Sequence, residues 1–105
     1  MFIRDVRMEL KDNSAPEFTF LMSTEILPIL RTQPGFRDEV TFITLERLQA
    51  VAISFWDKRE DAEAFNRSGY QEVLKKLSNV VMGIPEVETF ELSSSTFHKI
   101  APKGT

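Results

Sequence analysis

The chain has 105 residues, with 13 Lys and Arg against 16 Asp and Glu, a formal net charge of -3 and no cysteine. This length leaves room for a single domain, residues 1–105, and the mildly acidic balance disfavours nucleic acid as a partner. The missing cysteine excludes disulfides and thiolate metal ligands. Charges interrupt the first residues, MFIRDVRMEL, so we expect no signal peptide, no membrane partner and a cytoplasmic location.

The first predicted element is a strand over residues 2–10. Apolar and charged residues alternate there, which is typical of a strand with one buried face. The parity that should face the helices carries Phe2, Arg4, Val6 and Met8. Arg4 is therefore a charged residue on an otherwise apolar face.

A helix is predicted to follow, from a capping box formed by Ser14 and Glu17 to about Thr32. Pro28 removes one backbone hydrogen bond of that helix and predicts a kink. Its expected apolar stripe contains Phe18, Leu21, Met22, Ile26 and Ile29. Glu25 falls inside this stripe, so we expect it to meet Arg4 on one wall of a cavity, directly or through water.

Two strands joined by a short hairpin are predicted next, over residues 36–45 and 50–56. A second helix is expected from a capping box at Asp57 and Glu60, with a break near Gly69 and an end at Gly83 and Pro85. The last strand is predicted over residues 86–100. Its three successive serines, 93–95, indicate a bulge.

This β-α-β-β-α-β order predicts an α+β fold of the ferredoxin-like type, with a four-stranded antiparallel sheet and helices on one face. The middle strands carry apolar residues on both faces. In the second strand, Phe36, Val40 and Phe42 share one parity while Ile43 and Leu45 share the other. Because the helices cover only one face, we expect a homodimer in which a partner sheet covers the second.

The chain resembles the antibiotic biosynthesis monooxygenase (ABM)-like domains over almost its whole length. The resemblance rests on the element order, on PGF before the second strand, on SFWD at the end of the third, and on the divided helix EDAEAFNRSGYQEVLKKL. It implies a dimeric α/β barrel. It also implies either cofactor-free oxygenation of polyphenols and quinols or haem degradation, since the family contains both.

The same resemblance disfavours haem degradation. Haem-degrading members carry an Asn on the first strand, a Trp on the second helix and an iron-binding His ten residues later. The matching positions hold Val6, Phe65 and Lys75. Without the imidazole, haem iron has no evident ligand. We therefore expect no cofactor and no metal, and we expect Val6 and Phe65 to line a substrate pocket.

Three residues are candidates for catalysis. Arg4 could polarise a substrate oxygen, with Glu25 as its partner, and the alternative is a structural ion pair. His98, the single histidine, would be the natural general base near neutral pH, although a lone histidine in a strand is more often a surface or interface residue.

Three further residues are candidates for binding an aromatic substrate. Trp56 ends the third strand and could stack on a planar ring, or it could be a core or interface residue. Asn66 and Tyr70 lie on either side of the helix break and could hydrogen-bond a ligand oxygen. Their alternative roles are to end a half-helix and to fill an apolar stripe.

These observations predict a cofactor-independent monooxygenase-like protein that acts on a small aromatic or quinol-type molecule in a pocket between sheet and helices. The alternative is a non-catalytic dimeric module with a ligand-binding or regulatory role.

Overall fold

A computed structural model describes residues 1–44, 46 and 48–97 of the chain. Four strands and two divided helices follow one another in the predicted order. The elements are β1 (Phe2–Leu10), α1 (Ala15–Leu21), a π-helical turn (Met22–Ile26), α2 (Leu27–Arg31), β2 (Phe36–Thr44), β3 (Gln49–Trp56), α3 (Arg59–Arg67), α4 (Gly69–Leu77) and β4 (Val81–Glu91). Within the described residues, no helix is long and apolar enough to span a membrane.

The strands form one antiparallel sheet in the order β2-β3-β1-β4, which is the predicted ferredoxin-like arrangement. The sheet face under the helices, here called the inner face, carries Phe2, Val6 and Met8 of β1. On β3, Trp56 lies opposite Phe2 and Ala50 lies opposite Met8. These side chains are all buried against the helices, so the predicted parity of β1 is confirmed.

The first helix is interrupted by a π-helical turn instead of a simple proline kink. The backbone N–H of Leu27 bonds to the carbonyl of Met22, five residues back, just before Pro28. A straight α-helix turns its side chains by about 100° per residue, so positions four apart drift steadily around it. The π-helical turn adds one residue to the repeat and so cancels that rotation. The buried stripe is therefore Phe18, Met22, Ile26 and Leu30. The prediction was right for the first three, whereas Leu21 and Ile29 are only partly buried.

A bulge changes the predicted faces of β2. The register shifts between Phe36, which lies opposite Trp56, and Asp38, which lies opposite Phe55. Phe36 consequently shares the inner face with Ile43, whereas Val40 and Phe42 lie on the other one. The sequence prediction that Phe36 shares a face with Val40 was wrong, because an extra residue inverts the alternation of side chains. The predicted neighbour of Ile43, Leu45, is outside the described residues.

Neither predicted capping box forms. Ser14 makes no side-chain cap, and the second helix begins at Arg59 after Lys58. The carboxylate of Asp57 instead accepts a hydrogen bond from Arg37 Nε at the start of β2. This surface ion pair competes with capping for the same oxygen atoms.

The second helix ends earlier than predicted, at Leu77, and β4 begins at Val81. Gly83 and Pro85 therefore lie within a strand. Gly83 has φ 66° beside the register shift that separates the two halves of the β1–β4 ladder. Their role as helix-ending signals was wrong because such residues also mark an irregular edge strand. The strand ends at Glu91, before the serines expected to bend it.

The second face of the sheet, here called the outer face, is apolar and uncovered. Val40, Phe42 and Phe90 on this face are 39%, 56% and 44% exposed. The half-buried Ile3 and Ile53 lie between them in the ladder. At the centre Asp5 is 8% exposed, and no described residue hydrogen-bonds its Oδ1, although Arg7 Nε lies 3.7 Å away.

Candidate active site

A row of polar residues crosses the inner face between two apolar rows. Glu39 of β2 lies opposite Ser54 of β3, Ser54 lies opposite Arg4 of β1, and Arg4 lies opposite Thr89 of β4. We call these residues the polar row. Strand pairing alone sets this alignment, because paired residues of adjacent strands project to the same face. The helices bury Arg4 and Ser54 in the middle of the row, whereas Glu39 is half-buried and Thr89 is exposed.

Arg4 is a buried cation. Its residue is 3% exposed, and its Nη2 donates a 2.7 Å hydrogen bond to Asn66 Oδ1. The guanidinium carbon lies 4.2 Å from the ring centre of Tyr70 and 5.2 Å from that of Phe65. Within the described part of the chain, no carboxylate forms an ion pair with Arg4. The site therefore holds a positive charge that an anionic oxygen would neutralise.

The break between α3 and α4 allows both aromatic rings to reach Arg4. Phe65 and Tyr70 are five positions apart, which in an unbroken α-helix would turn their side chains about 140° away from each other. At Ser68 the backbone leaves the helical region, with φ −124° and ψ −80°. Gly69 then approaches Phe65 so closely that an added Cβ would lie 3.0 Å from the ring. The predicted break near Gly69 is thus a structural part of the site.

Arg4 lies at the floor of a narrow, partly open cleft between sheet and helices. Its polar lining consists of Arg4, Glu39, Ser54 and Tyr70. Its apolar lining consists of Val6, Met8, Met22, Ile26, Leu30, Ala52, Phe65, Val73, Leu74 and Leu77. An apolar cavity with a few polar groups is the usual form of a small-molecule site.

Burial shifts the pKa values of Tyr70 and Arg4. Burial raises the pKa of the Tyr70 phenol, and the nearby positive charge of Arg4 partly offsets this. Tyr70 is therefore protonated near neutral pH and can donate a hydrogen bond. Burial also lowers the pKa of the Arg4 guanidinium, against the effect of Tyr70, but an arginine remains charged.

Glu39 is a lining residue that the sequence interpretation missed. Burial raises the pKa of its carboxyl, and a hydrogen bond from Thr41 Oγ1 to Oε1 partly offsets that rise. The signal was the alternation of β2. Glu39 and Thr41 share the parity of Ile43, the face that the bulge turns toward the helices.

Trp56 lies in the core and not in the cleft lining. It is 0% exposed, stacks on Phe65 at 5.1 Å and meets the edge of Phe36 at 5.6 Å. Its Nε1–H donates a 2.8 Å hydrogen bond to Ser54 Oγ. Of the two roles that the sequence left open for Trp56, the structure shows the core role and not stacking in the cleft. The residue instead supports Ser54 and Phe65, which do line the cleft.

Glu25 does not meet Arg4. Its Oε2 lies 3.4 Å from Lys76 Nζ on α4, and its side chain is 49% exposed. The prediction of a shared cavity wall was wrong because the π-helical turn rotates Ile26 inward and leaves Glu25 at the rim. Glu25 is therefore a surface ion-pair residue and not a catalytic candidate.

The other candidates are placed as follows. Val6, Phe65 and Tyr70 line the cleft. Asn66 is reached from a neighbouring opening, between α3 and β4, that Arg4 also lines. His98 is outside the described residues. Across the described ranges, no three His, Asp or Glu side chains gather as metal ligands would.

The architecture is shared with solved structures. A monooxygenase of Streptomyces coelicolor, in complex with the ligand nanaomycin D, has a TM-score of 0.75 at 16% identity, with 90% of this chain and 88% of that one aligned. A Bordetella bronchiseptica protein, provisionally named an antibiotic biosynthesis monooxygenase, has a TM-score of 0.74 at 14% identity, with 87% and 96% aligned. The chain has the ABM-like fold.

A third neighbour, a substituted form of MhuD, holds two manganese protoporphyrin IX molecules per active site. It has a TM-score of 0.74 at 13% identity, with 91% of this chain and 98% of that one aligned. No family model matches the chain, and no curated protein does. At these sequence identities, the similarity to the solved structures shows the fold alone. Lys75, which the family resemblance aligned with a haem-binding histidine, is exposed on α4.

Proposed function

We propose that the protein is a cofactor-independent monooxygenase of small aromatic or quinol-type molecules. The observation that carries the proposal is Arg4, a buried cation without a carboxylate partner among the described residues, at the floor of an apolar cleft. A phenol that enters the cleft is stabilised there as its anion, because the apolar walls strengthen the attraction between the two charges.

The phenolate supplies the electrons for the reaction. It reduces dioxygen, the reduced oxygen forms a bond to a ring carbon, and loss of water leaves a quinone. One oxygen atom enters the ring as a carbonyl. The other leaves as water with the hydroxyl proton and the ring hydrogen. Arg4 holds the negative charge, Tyr70 donates a hydrogen bond, and the apolar lining excludes water.

We also propose that the protein acts as a homodimer in the cytoplasm, with the outer faces of two sheets packed together. The exposed apolar side chains of Val40, Phe42 and Phe90 support this, since monomers rarely leave such a surface uncovered. The buried Asp5 Oδ1 supports it as well, because a donor from a second subunit would complete its hydrogen bonding.

The alternative is a non-catalytic ligand-binding or regulatory module. The observation in its favour is that Trp56, a candidate for stacking on an aromatic substrate, is fully buried. Both functions use the same cleft, so ligand binding alone does not distinguish them, whereas catalytic turnover does.

Oxygen consumption tests the proposal with a panel of quinols and polyphenols under ¹⁸O₂. The expected result is product carrying one labelled oxygen, with the rate lowered about 100-fold or more in Arg4→Met. Arg31→Met, which removes an exposed arginine at the end of α2, is the matched control. Binding without labelled product across the panel would favour the non-catalytic alternative.

A further inference from the structure

The polar row has different chemistry at its two ends. Arg4, on β1, offers only donors and a positive charge. Glu39, on β2, offers a carboxylate. β3 lies between them, so their backbones are about two strand spacings apart, on the order of 10 Å. No ion pair between the two charges is found among the described residues. Both side chains line the same cleft.

The middle of the row is adapted to a flat molecule. Ser54 and Ala52 are the β3 residues that line the cleft between the two ends. Their side chains are small, so a planar ring system can lie close to the strand. Ser54 Oγ already accepts the hydrogen bond of Trp56 Nε1, which leaves its hydroxyl hydrogen as a donor. The walls above and below this part of the row are apolar.

The acceptor at the far end is partly preorganised. Thr41 holds Glu39 Oε1 by a hydrogen bond, and the other carboxylate oxygen remains available. No described cation forms an ion pair with Glu39. A carboxylate held in this way in an apolar cleft favours a ligand that brings its own hydrogen-bond donor.

We propose that Glu39 receives the hydroxyl proton of the aromatic ligand, which lies across β3 with an anionic or carbonyl oxygen at Arg4 and a hydroxyl group that donates to Glu39. This inference rests on the proposed function and adds the orientation of the ligand and the group that takes its proton. In the oxidation, the O–H bond breaks, its proton passes to Glu39, and its electron pair stays on the ligand. Conjugation then carries negative charge toward Arg4. The proton finally leaves in the water that the oxygenation forms.

This arrangement separates the site's two tasks. Arg4 favours a ligand with a negatively charged group and binds that group at one end of the cleft. Glu39 selects a hydroxyl at the other end and removes its proton. A ligand that engages both residues carries polar groups at opposite ends of its ring system.

Binding of two matched acids tests the orientation without turnover. The probes are 6-hydroxy-2-naphthoic acid and 2-naphthoic acid, titrated by fluorescence under nitrogen. The wild-type protein should bind the hydroxylated acid on the order of tenfold more tightly, the value of a hydrogen bond to a charged group. Glu39→Leu should reduce that preference to within about twofold, whereas Arg4→Met should weaken both acids and keep the preference. Glu17→Leu, at an exposed glutamate of α1, is the control and should match the wild type.

A preference that survives in Glu39→Leu would overturn the proposal, as would the absence of a preference, or of any binding, in the wild type. With a substrate that the wild type oxidises, Glu39→Gln should lower kcat about 100-fold or more and change KM far less. An unchanged kcat would show that Glu39 does not take the proton. If no substrate is oxidised but the hydroxyl preference depends on Glu39, the monooxygenase proposal fails and the ligand orientation stands.

Discussion

Asn66 Oδ1 accepts a hydrogen bond from Arg4 Nη2 at 2.7 Å and thereby fixes the guanidinium under the rings of Phe65 and Tyr70. The two residues come from different elements, β1 and α3, so this contact links the sheet to the second helix. This hydrogen bond therefore holds the buried cation of β1 next to the residues at the helix break.

Replacing Asn66 by Ala should therefore weaken both stability and anion binding. The loss of this hydrogen bond to a charged group should cost about 1.5 to 3 kcal/mol in the free energy of unfolding, less where water replaces the amide. Urea denaturation measures the change, and Asn79→Ala, at an exposed asparagine after α4, is the control. Equal losses in the two variants would show that the contact contributes nothing specific.

The core position of Trp56 predicts different results for two substitutions. Trp56→Phe keeps an aromatic ring against Phe65 but leaves Ser54 without its donor, so it should cost about 1 to 3 kcal/mol. Trp56→Ala also opens a cavity and should cost about 3 to 5 kcal/mol. Chemical denaturation followed by circular dichroism measures both. A fully stable Trp56→Ala variant would contradict the core assignment.

The raised pKa of Glu39 predicts a pH-dependent stability. The native state binds the carboxyl proton of Glu39 more tightly than the unfolded state does. The contribution of this proton to the free energy of unfolding is therefore complete when the pH is below the ordinary glutamate pKa of 4.5. It is lost as the pH rises through the higher folded pKa. The Glu39→Gln variant has no carboxyl group to lose a proton at this position. The stability of the variant relative to the wild type should therefore increase as the pH rises from 4.5 toward neutral. A constant difference across this window would contradict the burial of Glu39.

The outer face predicts the oligomeric state. Light scattering during size-exclusion chromatography should give twice the chain mass for the wild type. Phe42→Lys places a charge on the outer face and should give a monomer. Phe20→Lys changes a comparably exposed phenylalanine on α1 and should leave the dimer intact. A dimer that survives in Phe42→Lys would move the interface elsewhere.

Two glycines with positive φ should respond differently to alanine. At Gly35, with φ 79°, an added Cβ would lie 2.1 Å from Asp61 Oδ2, so Gly35→Ala combines backbone strain with a clash. At Gly83, with φ 66°, the space is open, and Gly83→Ala should cost only the strain of about 1 to 2 kcal/mol. Thermal unfolding of the two variants checks this order, and equal melting temperatures would contradict it.

Local patterning was sufficient to predict the fold class. The alternation in β1 placed Arg4 on the inner face, and the divided helix around Gly69 was visible in the sequence. The irregular segments were not predictable in this way. A π-helical turn before Pro28 and a bulge after Phe36 each add a residue to a regular repeat. Such an addition changes the face on which every later side chain of the element lies.

The site was only partly predictable for the same reason. Arg4, Val6, Phe65 and Tyr70 line the cleft, and their roles in binding or catalysis stay predictions. Glu25 was misplaced by the π-helical turn. Glu39 was missed because the parity of β2 could not be assigned to the inner or outer face without its register.

Trp56 shows a different limit. A tryptophan at the end of a strand can equally fill a core or face a ligand, and its sequence neighbours do not distinguish the two. Which of these it does depends on packing against Phe36 and Phe65, residues distant in the chain. A cytoplasmic location and a role for His98 stay predictions.

The ionisation of a bound phenol tests most directly the central claim, that Arg4 stabilises a phenolate in the cleft. 4-Nitrophenol reports its own ionisation by its colour, so a spectrophotometric pH titration with saturating protein gives the pKa of the bound phenol without any turnover. Wild-type protein should lower that pKa by about one unit or more relative to free nitrophenol, and Arg4→Met should abolish the shift while Arg31→Met retains it. A bound pKa that is unshifted in the wild type, or equally shifted in Arg4→Met, would contradict the claim.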